Sequence, residues 1–261
     1  MQTRGSVRRA TPLAPLAAIL CVVSAATAAP AATVKAPTSR GERELLVFAP
    51  PAGADDAKPV ILFVSGEGGW RRFDDLVTGY LAGLGYWVGG VNAMDYFWDA
   101  QDDRQALAGD FRAYASALAK AAGRMPEAPL VLAGFSFGAD MAPWLAGAGG
   151  WAERLRGLLM IGPDETGSLE FRLAEILGFE SKDHIFSVAE ALRGAAGVPV
   201  AFVHGEKDSS SAAVSLSRGA GDPKKLIVVA ESDHHFSGHE ADLRSALADA
   251  MTWIAGKPKR D

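Results

Sequence analysis

Cysteine is nearly absent from this chain, which has one, Cys21, among its 261 residues. Because Cys21 lies in a leader segment that we expect to be removed, the mature protein would have no disulfide, no thiolate nucleophile and no cysteine-ligated zinc. Only five histidines are present, and none shows the spacing of a metal-binding pair such as H-E-x-x-H. The sequence therefore predicts an activity that uses neither a metal nor another cofactor.

Basic residues are outnumbered, with 26 Lys and Arg against 31 Asp and Glu and a formal net charge of −5. Loss of residues 1–28 removes three arginines and no acidic residue, which takes the charge from −5 to −8. An acidic chain is a poor candidate for nucleic-acid binding or for adsorption to anionic lipid. We expect no nucleic-acid partner.

Long apolar runs are missing as well. Residues 13–23 form an apolar stretch too short to span a bilayer comfortably, preceded by arginines and followed by small residues. This is the pattern of a secretory signal with cleavage after Ala28, which predicts an exported protein. An uncleaved anchor is the alternative, and the bulky Leu20 before Cys21 argues against lipidation.

The remainder divides into a linker at 29–41, rich in Ala, Pro and Thr, and one domain at 42–257. Short apolar runs in the domain alternate with amphipathic helical patterns, which predicts a mostly parallel sheet with helices on both faces. Residues 165–196 are read as short helices that cap the site. The predicted strands are 44–49, 60–64, 86–91, 130–133, 158–161, 198–203 and 226–230, and the long helices are 71–84, 101–122 and 239–255.

One strand, 130–133, leads into the sequence Gly134-Phe135-Ser136-Phe137-Gly138, and a helical pattern follows. A strand, a G-x-S-x-G turn and a helix form the context of the nucleophile elbow, in which a serine sits on a tight, strained turn. We refer to residues 134–138 as the elbow. Ser136 is the predicted nucleophile.

A serine hydroxyl needs an imidazole to accept its proton and an acid to orient that imidazole. Asp208 and His234 each follow a late predicted strand, and they stand in the α/β-hydrolase order of nucleophile, acid and base. His235 is the alternative base, and Asp164, after the preceding strand, is the alternative acid.

A tetrahedral intermediate also requires two donors for its oxyanion. The Phe137 N–H, directly after the nucleophile, is the first candidate. The second is the Glu67 N–H in SGEGGW (65–70), which follows an early strand and is called the glycine turn below. Gly66, Trp70 and Asp164 are assigned to substrate binding.

Four motifs together resemble the bacterial virulence protein VirJ/AcvB family: SGEGGW (65–70), VNAMDYFW (91–98), GFSFGAD (134–140) and SDHHFSG (232–238). The resemblance implies a periplasmic α/β hydrolase linked to virulence, to type IV secretion and to hydrolysis of lysyl-phosphatidylglycerol. It places the nucleophile on Ser136, the acid on Asp208 and the base on His234. Glu67 stands where the family pattern SGDGGW has Asp.

The predicted function is cleavage of an ester, through an acyl-enzyme, in a small-molecule or lipid substrate. The implied lipid brings peripheral membrane contact and secretion-system proteins into the set of expected partners. A cationic lysyl group would suit the acidic residues expected at the same sheet edge, which are Glu67, Asp95, Asp140, Asp164 and Glu165. Two alternatives remain open: a non-catalytic periplasmic binding or chaperone-like factor linked to secretion, and a generic carboxylesterase or thioesterase.

Overall fold

The structure is a computed structural model that describes residues 30–98, 103–169 and 185–258. Its strands are β1 (Ala32–Thr38), β2 (Gly41–Phe48), β3 (Val60–Val64), β4 (Val88–Val91), β5 (Leu130–Phe135), β6 (Leu155–Ile161), β7 (Thr166–Ser168), β8 (Ile185–Ser187), β9 (Val200–Gly205) and β10 (Lys224–Val229). Its α-helices are α1 (Arg72–Gly83), α2 (Ala93–Phe97), α3 (Arg104–Ala121), α4 (Phe137–Gly147), α5 (Val188–Gly194), α6 (Ala213–Gly219) and α7 (Glu240–Ala255).

Eight strands form one sheet in the order β1-β2-β4-β3-β5-β6-β9-β10. β1 and β2 are antiparallel to each other, β2 is antiparallel to β4, and all later pairings in the sheet are parallel. Every residue of β3 and β5 is buried. A strand covered on both faces needs apolar side chains on both, which explains its continuous apolar sequence.

Helices cover the sheet on both faces and close two separate cores. The core on one face contains α1 and α7, with Val77, Leu81 and Leu247 among its buried residues. The core on the other face contains α2 to α6, with Phe111 and Leu145 among its members. The predicted mostly parallel sheet with helices on both faces is confirmed.

The prediction of a linker at 29–41 is wrong, because β1 occupies most of that interval and the domain begins before residue 42. β1 pairs along its whole length with β2, and Ala36 is fully buried. The Asp110 carboxylate on α3 accepts hydrogen bonds from the Ser39 N–H and hydroxyl at 2.5 and 2.7 Å. An edge strand tolerates a proline such as Pro37, so a composition typical of a linker still forms a strand here.

The interval 165–196, predicted as short capping helices, is partly extended. β7 and β8 pair antiparallel as a small separate sheet, and α5 follows directly. The predicted signal at 1–28 lies outside the described residues. In the ranges that the structure describes, no helix is both long and apolar enough to cross a bilayer.

Candidate active site

The polar residues predicted to act together follow the carboxyl ends of β3, β5, β6, β9 and β10. These five strands are parallel, so their carboxyl ends meet at one edge of the sheet. Ligands of parallel α/β sheets bind at this edge. The sheet thus gathers loops that are more than 150 residues apart in the chain, from Ser65 to Phe236.

Ser136 stands between β5 and α4 with φ 50° and ψ −119°, a backbone conformation that residues other than glycine rarely adopt. Its N–H donates to the Ile161 carbonyl of β6 at 2.9 Å. A Cβ on Gly134 would lie 2.1 Å from the Gly138 carbonyl carbon, and one on Gly138 would lie 2.0 Å from the Val64 oxygen. Both glycines of the elbow are therefore required sterically.

Asp208 and His234 are hydrogen-bonded, with 2.7 Å between Oδ2 of the aspartate and Nδ1 of the imidazole. The Asp208 side chain is 1% exposed and that of His234 is 24% exposed. Burial alone would raise the pKa of Asp208, but hydrogen bonds from Ser210 and His234 outweigh it and hold the pKa below its ordinary value. An ionised carboxylate only accepts hydrogen bonds, so His234 Nδ1 carries the proton and a neutral ring keeps Nε2 as a base.

Sequence reasoning missed Ser210, which fixes the Asp208 carboxylate. The Ser210 hydroxyl and N–H donate to Asp208 Oδ1 at 2.6 and 3.1 Å, and the Ser211 N–H donates to the same oxygen at 3.1 Å. An aspartate with serines two and three residues later is typical of a turn in which the side chain accepts from the backbone. That pattern was the available signal.

The turn that carries His234 is tied to the Asp208 loop by the backbone. The Lys207 N–H donates to the Ser232 carbonyl at 2.9 Å. Asp233 Oδ1 accepts the His235 and Ser237 N–H groups at 3.0 and 2.9 Å. The hydrogen bond from the Ser237 N–H holds the pKa of Asp233 below its ordinary value. His234 therefore sits on a turn with its own internal hydrogen bonds.

His234 also lies beside the elbow, since its ring centroid is 4.7 Å from that of Phe135, the residue before Ser136. A Cβ on Gly162, directly after Ile161, would lie 3.1 Å from His234 Cε1. Ser136 and His234 thus border the same end of β6. The side-chain partners observed for His234 Nδ1 are Asp208 Oδ2 at 2.7 Å and the Ser210 hydroxyl at 3.4 Å.

Neither of the two alternative residues takes part in the hydrogen bond between Asp208 and His234. His235 is exposed, and its ring contacts Phe73, Phe135 and His234. Asp164 is exposed too, and its carboxylate accepts the N–H of the following Glu165 at 2.6 Å. Among the residues described, the carboxylate bonded to His234 is that of Asp208.

The glycine turn packs against the elbow. A Cβ on Gly66 would lie 3.3 Å from the Phe135 ring, so the turn approaches that ring closely. Glu67 has an exposed side chain, and no hydrogen bond within the described ranges takes up its N–H. Phe137 begins α4, with its buried ring 5.1 Å from that of Phe97.

Trp70, which was assigned to substrate binding, is half-buried, and the contacts that the structure describes for it are packing contacts. Its indole packs on the sheet, 5.9 Å from the Phe48 ring and 6.1 Å from the Phe63 ring. Its Nε1–H donates to Asp75 at 2.8 Å. Gly90 leaves the space that the indole fills, because a Cβ there would lie 2.2 Å from the Trp70 ring. Trp70 anchors the glycine turn to the sheet.

Asp140 was expected to contribute negative charge at the site, and this is wrong. It is 3% exposed, and its Oδ1 accepts the Asp164 N–H at 2.8 Å. Burial raises the pKa of Asp140 to about 9, although the Asp164 N–H opposes the rise. The side chain is neutral at pH 7 and joins α4 to the loop after β6. The other four acids of the expected acidic edge, Glu67, Asp95, Asp164 and Glu165, are exposed.

Another buried acid, Asp74, lies under the glycine turn. Its Oδ2 accepts the Arg71 N–H at 2.7 Å at the start of α1. Burial raises the pKa of Asp74 to about 6, while the backbone amides of Arg71 and Gly66 hold it down. In the ranges described, no three His, Cys, Asp or Glu side chains are grouped as metal ligands.

Comparison with solved structures shows the same fold. The chain is similar to XC6422 from Xanthomonas campestris, described as an α/β serine hydrolase without a lid, at 20% identity and a TM-score of 0.58 over 87% of this chain and 96% of that one. It is similar to Est1E from Butyrivibrio proteoclasticus at 14% identity and a TM-score of 0.60 over 86% and 99%. A dienelactone hydrolase from Anabaena variabilis matches at 14% identity and a TM-score of 0.60 over 85% and 96%.

These identities establish the α/β-hydrolase fold and no more. No curated protein matches the sequence. The profile described as bacterial virulence protein (VirJ) matches residues 58–254, which include the glycine turn, the elbow, Asp208 and His234. The chain therefore belongs to the bacterial virulence protein VirJ family and has the α/β-hydrolase fold.

Proposed function

We propose that this protein is a serine hydrolase that cleaves a carboxylic ester through an acyl-enzyme. The observation that carries the proposal is the 2.7 Å hydrogen bond between buried Asp208 and His234, beside a serine in a strained turn. Strained backbone and a buried, hydrogen-bonded carboxylate are costly, and they cluster at active sites.

In the first step Ser136 Oγ attacks the ester carbonyl carbon while His234 Nε2 takes the hydroxyl proton. The carbonyl electron pair moves onto oxygen, and the Phe137 and Glu67 N–H groups stabilise that oxyanion. Asp208 keeps the proton of His234 on Nδ1 and stabilises the imidazolium.

The tetrahedral intermediate then collapses. The bond to the alcohol oxygen breaks, His234 returns its proton to that oxygen, and an acyl-serine remains. A water molecule then attacks the acyl carbon while His234 takes its proton. The bond to Ser136 Oγ breaks and His234 returns the proton to that oxygen, which releases the carboxylic acid and restores Ser136.

The direct test is Ser136→Ala assayed with p-nitrophenyl acetate. We expect kcat/KM to fall by about 10³-fold or more, since the variant has no nucleophile. A fluorophosphonate should label the wild type and leave the variant unlabelled. Ser245→Ala, which removes an exposed hydroxyl from α7, is the matched control and should keep both activity and labelling. Failure of the folded wild type to react with either reagent would favour the non-catalytic binding factor.

The identity of the base is tested by comparing alanine variants of the two adjacent histidines. His234→Ala should lower kcat about as much as Ser136→Ala, because residues of a triad act as a unit. His235→Ala should cost at least about 100-fold less, since its ring is not bonded to a buried carboxylate. The reverse order would assign the base to His235. Asp208→Asn against Asp164→Asn separates the two acids in the same way.

We further propose lysyl-phosphatidylglycerol as the substrate, with the protein in the periplasm and in peripheral contact with the membrane. Family membership and the exposed acids Glu67, Asp95, Asp164 and Glu165 at the site edge support a cationic acyl group. Incubation of the mature protein with lipid extracts, followed by mass spectrometry of each aminoacyl lipid, tests the substrate. Hydrolysis of neutral esters with no hydrolysis of aminoacyl lipids would indicate a generic carboxylesterase or thioesterase.

Export is tested separately. Fractionation of cells and N-terminal sequencing should find the protein in the periplasm, beginning after Ala28. Capture of bound proteins from the same fraction would test contact with secretion-system proteins. A product that retains residues 1–28 would instead support the uncleaved anchor.

A further inference from the structure

A cavity of about 510 Å³ lies between β2 and the VNAMDYFW segment (91–98). Of the four sequence motifs, this segment is the one that the proposed mechanism does not use. We call the space the β2 cavity. Its described lining comes from β2, the segment 91–98 and α3, and includes neither Ser136 nor His234. Its polar and aromatic lining includes Arg43, Asn92, Asp95, Trp98 and Tyr114.

Tyr114 of α3 lines the β2 cavity and has an unpaired hydroxyl. It is 1% exposed, and its ring centroid lies 6.1 Å from that of Tyr96. Tyr96 donates its hydroxyl proton to Asp110 at 2.5 Å, whereas the Tyr114 hydroxyl has no hydrogen-bond partner among the residues described. Burial raises the pKa of Tyr114, so the hydroxyl stays protonated and can donate. Because buried polar groups are almost always hydrogen-bonded, this hydroxyl indicates an acceptor in the cavity.

Arg43 of β2 brings a positive charge to the same hydroxyl. It is half-buried and lines the cavity, and its charge partly offsets the rise that burial causes in the pKa of Tyr114. Its Nε is buried without a hydrogen-bond partner, and its guanidinium forms no ion pair with a carboxylate of the described ranges. A buried donor without a partner costs free energy. A guanidinium near a phenol hydroxyl suits a carboxylate or a phosphate, which accepts hydrogen bonds from both.

Asp95, in the segment 91–98, brings negative charge to the cavity. The Asn92 amide donates to Asp95 Oδ2 at 2.8 Å, and Asn92 Oδ1 accepts the Trp70 N–H at 3.1 Å. These two bonds tie the carboxylate to the glycine turn. Trp98, three residues later, also lines the cavity and is 50% exposed. A carboxylate and an exposed indole in one cavity suit an ammonium, because each attracts a cation.

The mixture of charges restricts the class of ligand. A purely anionic ligand would meet the repulsion of Asp95 and of two glutamates in the lining, Glu42 and Glu44. A purely cationic ligand would leave the Arg43 guanidinium and the Tyr114 hydroxyl without a partner. A molecule that carries both an ammonium and an anionic group satisfies both sets of residues.

We propose that the β2 cavity binds a small zwitterion. Its carboxylate or phosphate would contact Arg43 and Tyr114, and its ammonium would contact Asp95 and Trp98. Free amino acids and the headgroup of phosphatidylethanolamine share this chemistry. The site goes beyond the proposed ester hydrolysis and does not depend on it, since the candidate catalytic residues lie outside its lining.

Isothermal titration calorimetry of the wild type with O-phosphoethanolamine and with L-alanine tests the site. We expect saturable binding with a Kd of about 1 mM or tighter. Ethylamine and inorganic phosphate each supply only one of the two charged groups. They should bind at least about tenfold more weakly, because one set of partners stays unpaired. Binding of ethylamine or phosphate as tight as that of the zwitterions would overturn the proposal.

Vesicles distinguish the two sources of the zwitterion. Retention of the protein on phosphatidylglycerol vesicles that contain phosphatidylethanolamine, and not on those without it, would identify the lipid headgroup. Calorimetric binding with equal retention on both vesicles would identify a free zwitterion. Equal retention on both vesicles together with no calorimetric binding of either compound would overturn the proposal.

Tyr114→Phe removes only the hydroxyl and should raise Kd about fivefold, the effect of one lost hydrogen bond. Arg43→Gln removes the guanidinium and should raise Kd more than about tenfold. The matched controls are Tyr80→Phe, at a half-buried phenol of α1, and Arg156→Gln, at a half-buried arginine of β6 whose Nη1 also lacks a partner. Both positions lie outside the cavity lining and should keep the wild-type Kd.

An unchanged Kd in both Tyr114→Phe and Arg43→Gln would place the zwitterion elsewhere and overturn the proposal. If circular dichroism shows that Arg43→Gln does not fold, Asp95→Asn takes its place, since it changes an exposed side chain and should raise Kd about fivefold. Fluorophosphonate labelling of Ser136 is measured separately. An unreactive wild type would contradict the proposed hydrolysis, whereas a wild type that binds no zwitterion would contradict only the β2 cavity.

Discussion

The elbow and the glycine turn are both glycine-rich turns that follow a buried parallel strand, and they are constrained very differently. In the elbow, a Cβ on Gly134 or Gly138 would meet backbone atoms at 2.1 or 2.0 Å. In the glycine turn, a Cβ on Gly66 or Gly68 would meet side-chain atoms at 3.3 or 3.4 Å. Backbone cannot move aside as a side chain can, so the elbow is fixed by sterics, whereas the glycine turn has room to vary at Gly66 and Gly68. Gly69 is the exception in that turn, because its φ of 73° favours glycine.

The acidic residues of the two regions also differ, in burial and in charge. Asp140, in the first turn of α4 and two residues after Gly138, is buried, and burial raises its pKa to about 9. Glu67 in the glycine turn is exposed. The elbow side holds a neutral acid that joins two elements, whereas the glycine turn presents a charge to solvent. If Ser136 is the nucleophile as proposed, the elbow holds it in place, and the exposed charge of the glycine turn is free to act on the substrate.

The largest effect that would test this difference is that of Gly138→Ala. The added methyl overlaps the Val64 carbonyl, so β3 and α4 would have to separate. We expect a loss of more than about 3 kcal/mol in the free energy of unfolding and a fall in Tm of about 10 °C. Calorimetry or circular dichroism measures both.

Gly68→Ala is its matched control. Gly68 is exposed, and the contact nearest to its added methyl is the Arg71 side chain. The free energy of unfolding should change by no more than about 0.5 kcal/mol. Equal losses in the two variants would mean that the turns are equally constrained, contrary to the comparison.

A smaller effect, with a characteristic pH dependence, is expected for Asp140→Asn. Burial raises the pKa of Asp140 from its ordinary 3.8 to about 9. Between these values the folded state keeps a proton that the unfolded state has released, so the free energy of unfolding falls as pH rises. The Tm of the wild type should therefore fall by about 5 °C more than that of Asp140→Asn between pH 6 and pH 9.

Asp140→Ala separates the charge from the hydrogen bond. It removes the acceptor of the Asp164 N–H, so it should lower Tm at every pH, whereas asparagine keeps an oxygen for that donor. Parallel Tm curves for the wild type and Asp140→Asn would show that Asp140 is ionised in the folded protein.

The elbow could be predicted from sequence because its constraint is local. An apolar strand, two glycines and a serine within nine residues carry the whole signal, and β3 and β5 are read from their continuous apolar runs. Asp208 and His234 follow from the order of the strands. What brings them together is tertiary: the register of β9 and β10 and the hydrogen bonds of Ser210 and Asp233.

The errors arise where packing decides. The local sequence does not tell whether the Trp70 side chain reaches the substrate or fills the space over Gly90. Asp140 looks like any charged residue at a helix start until the loop after β6 covers it. The composition of residues 29–41 predicts a linker, and only pairing with β2 and the contact of Ser39 with Asp110 make a strand of 32–38.

The smallest expected effect comes from removing a charge in the glycine turn. Glu67→Gln keeps the backbone N–H proposed for the oxyanion and removes only the exposed charge. If that charge selects a cationic acyl group, the kcat/KM ratio of a lysyl ester to the norleucyl ester of the same alcohol should fall about threefold, the scale of an exposed ion pair. The effect should shrink at high ionic strength, because salt screens exposed charges. Glu153→Gln removes an exposed acid before β6, at the other end of the strand, and should leave the ratio unchanged. An unchanged ratio in Glu67→Gln would remove the glycine turn from substrate selection and leave it, like the elbow, with a role in the chemistry alone.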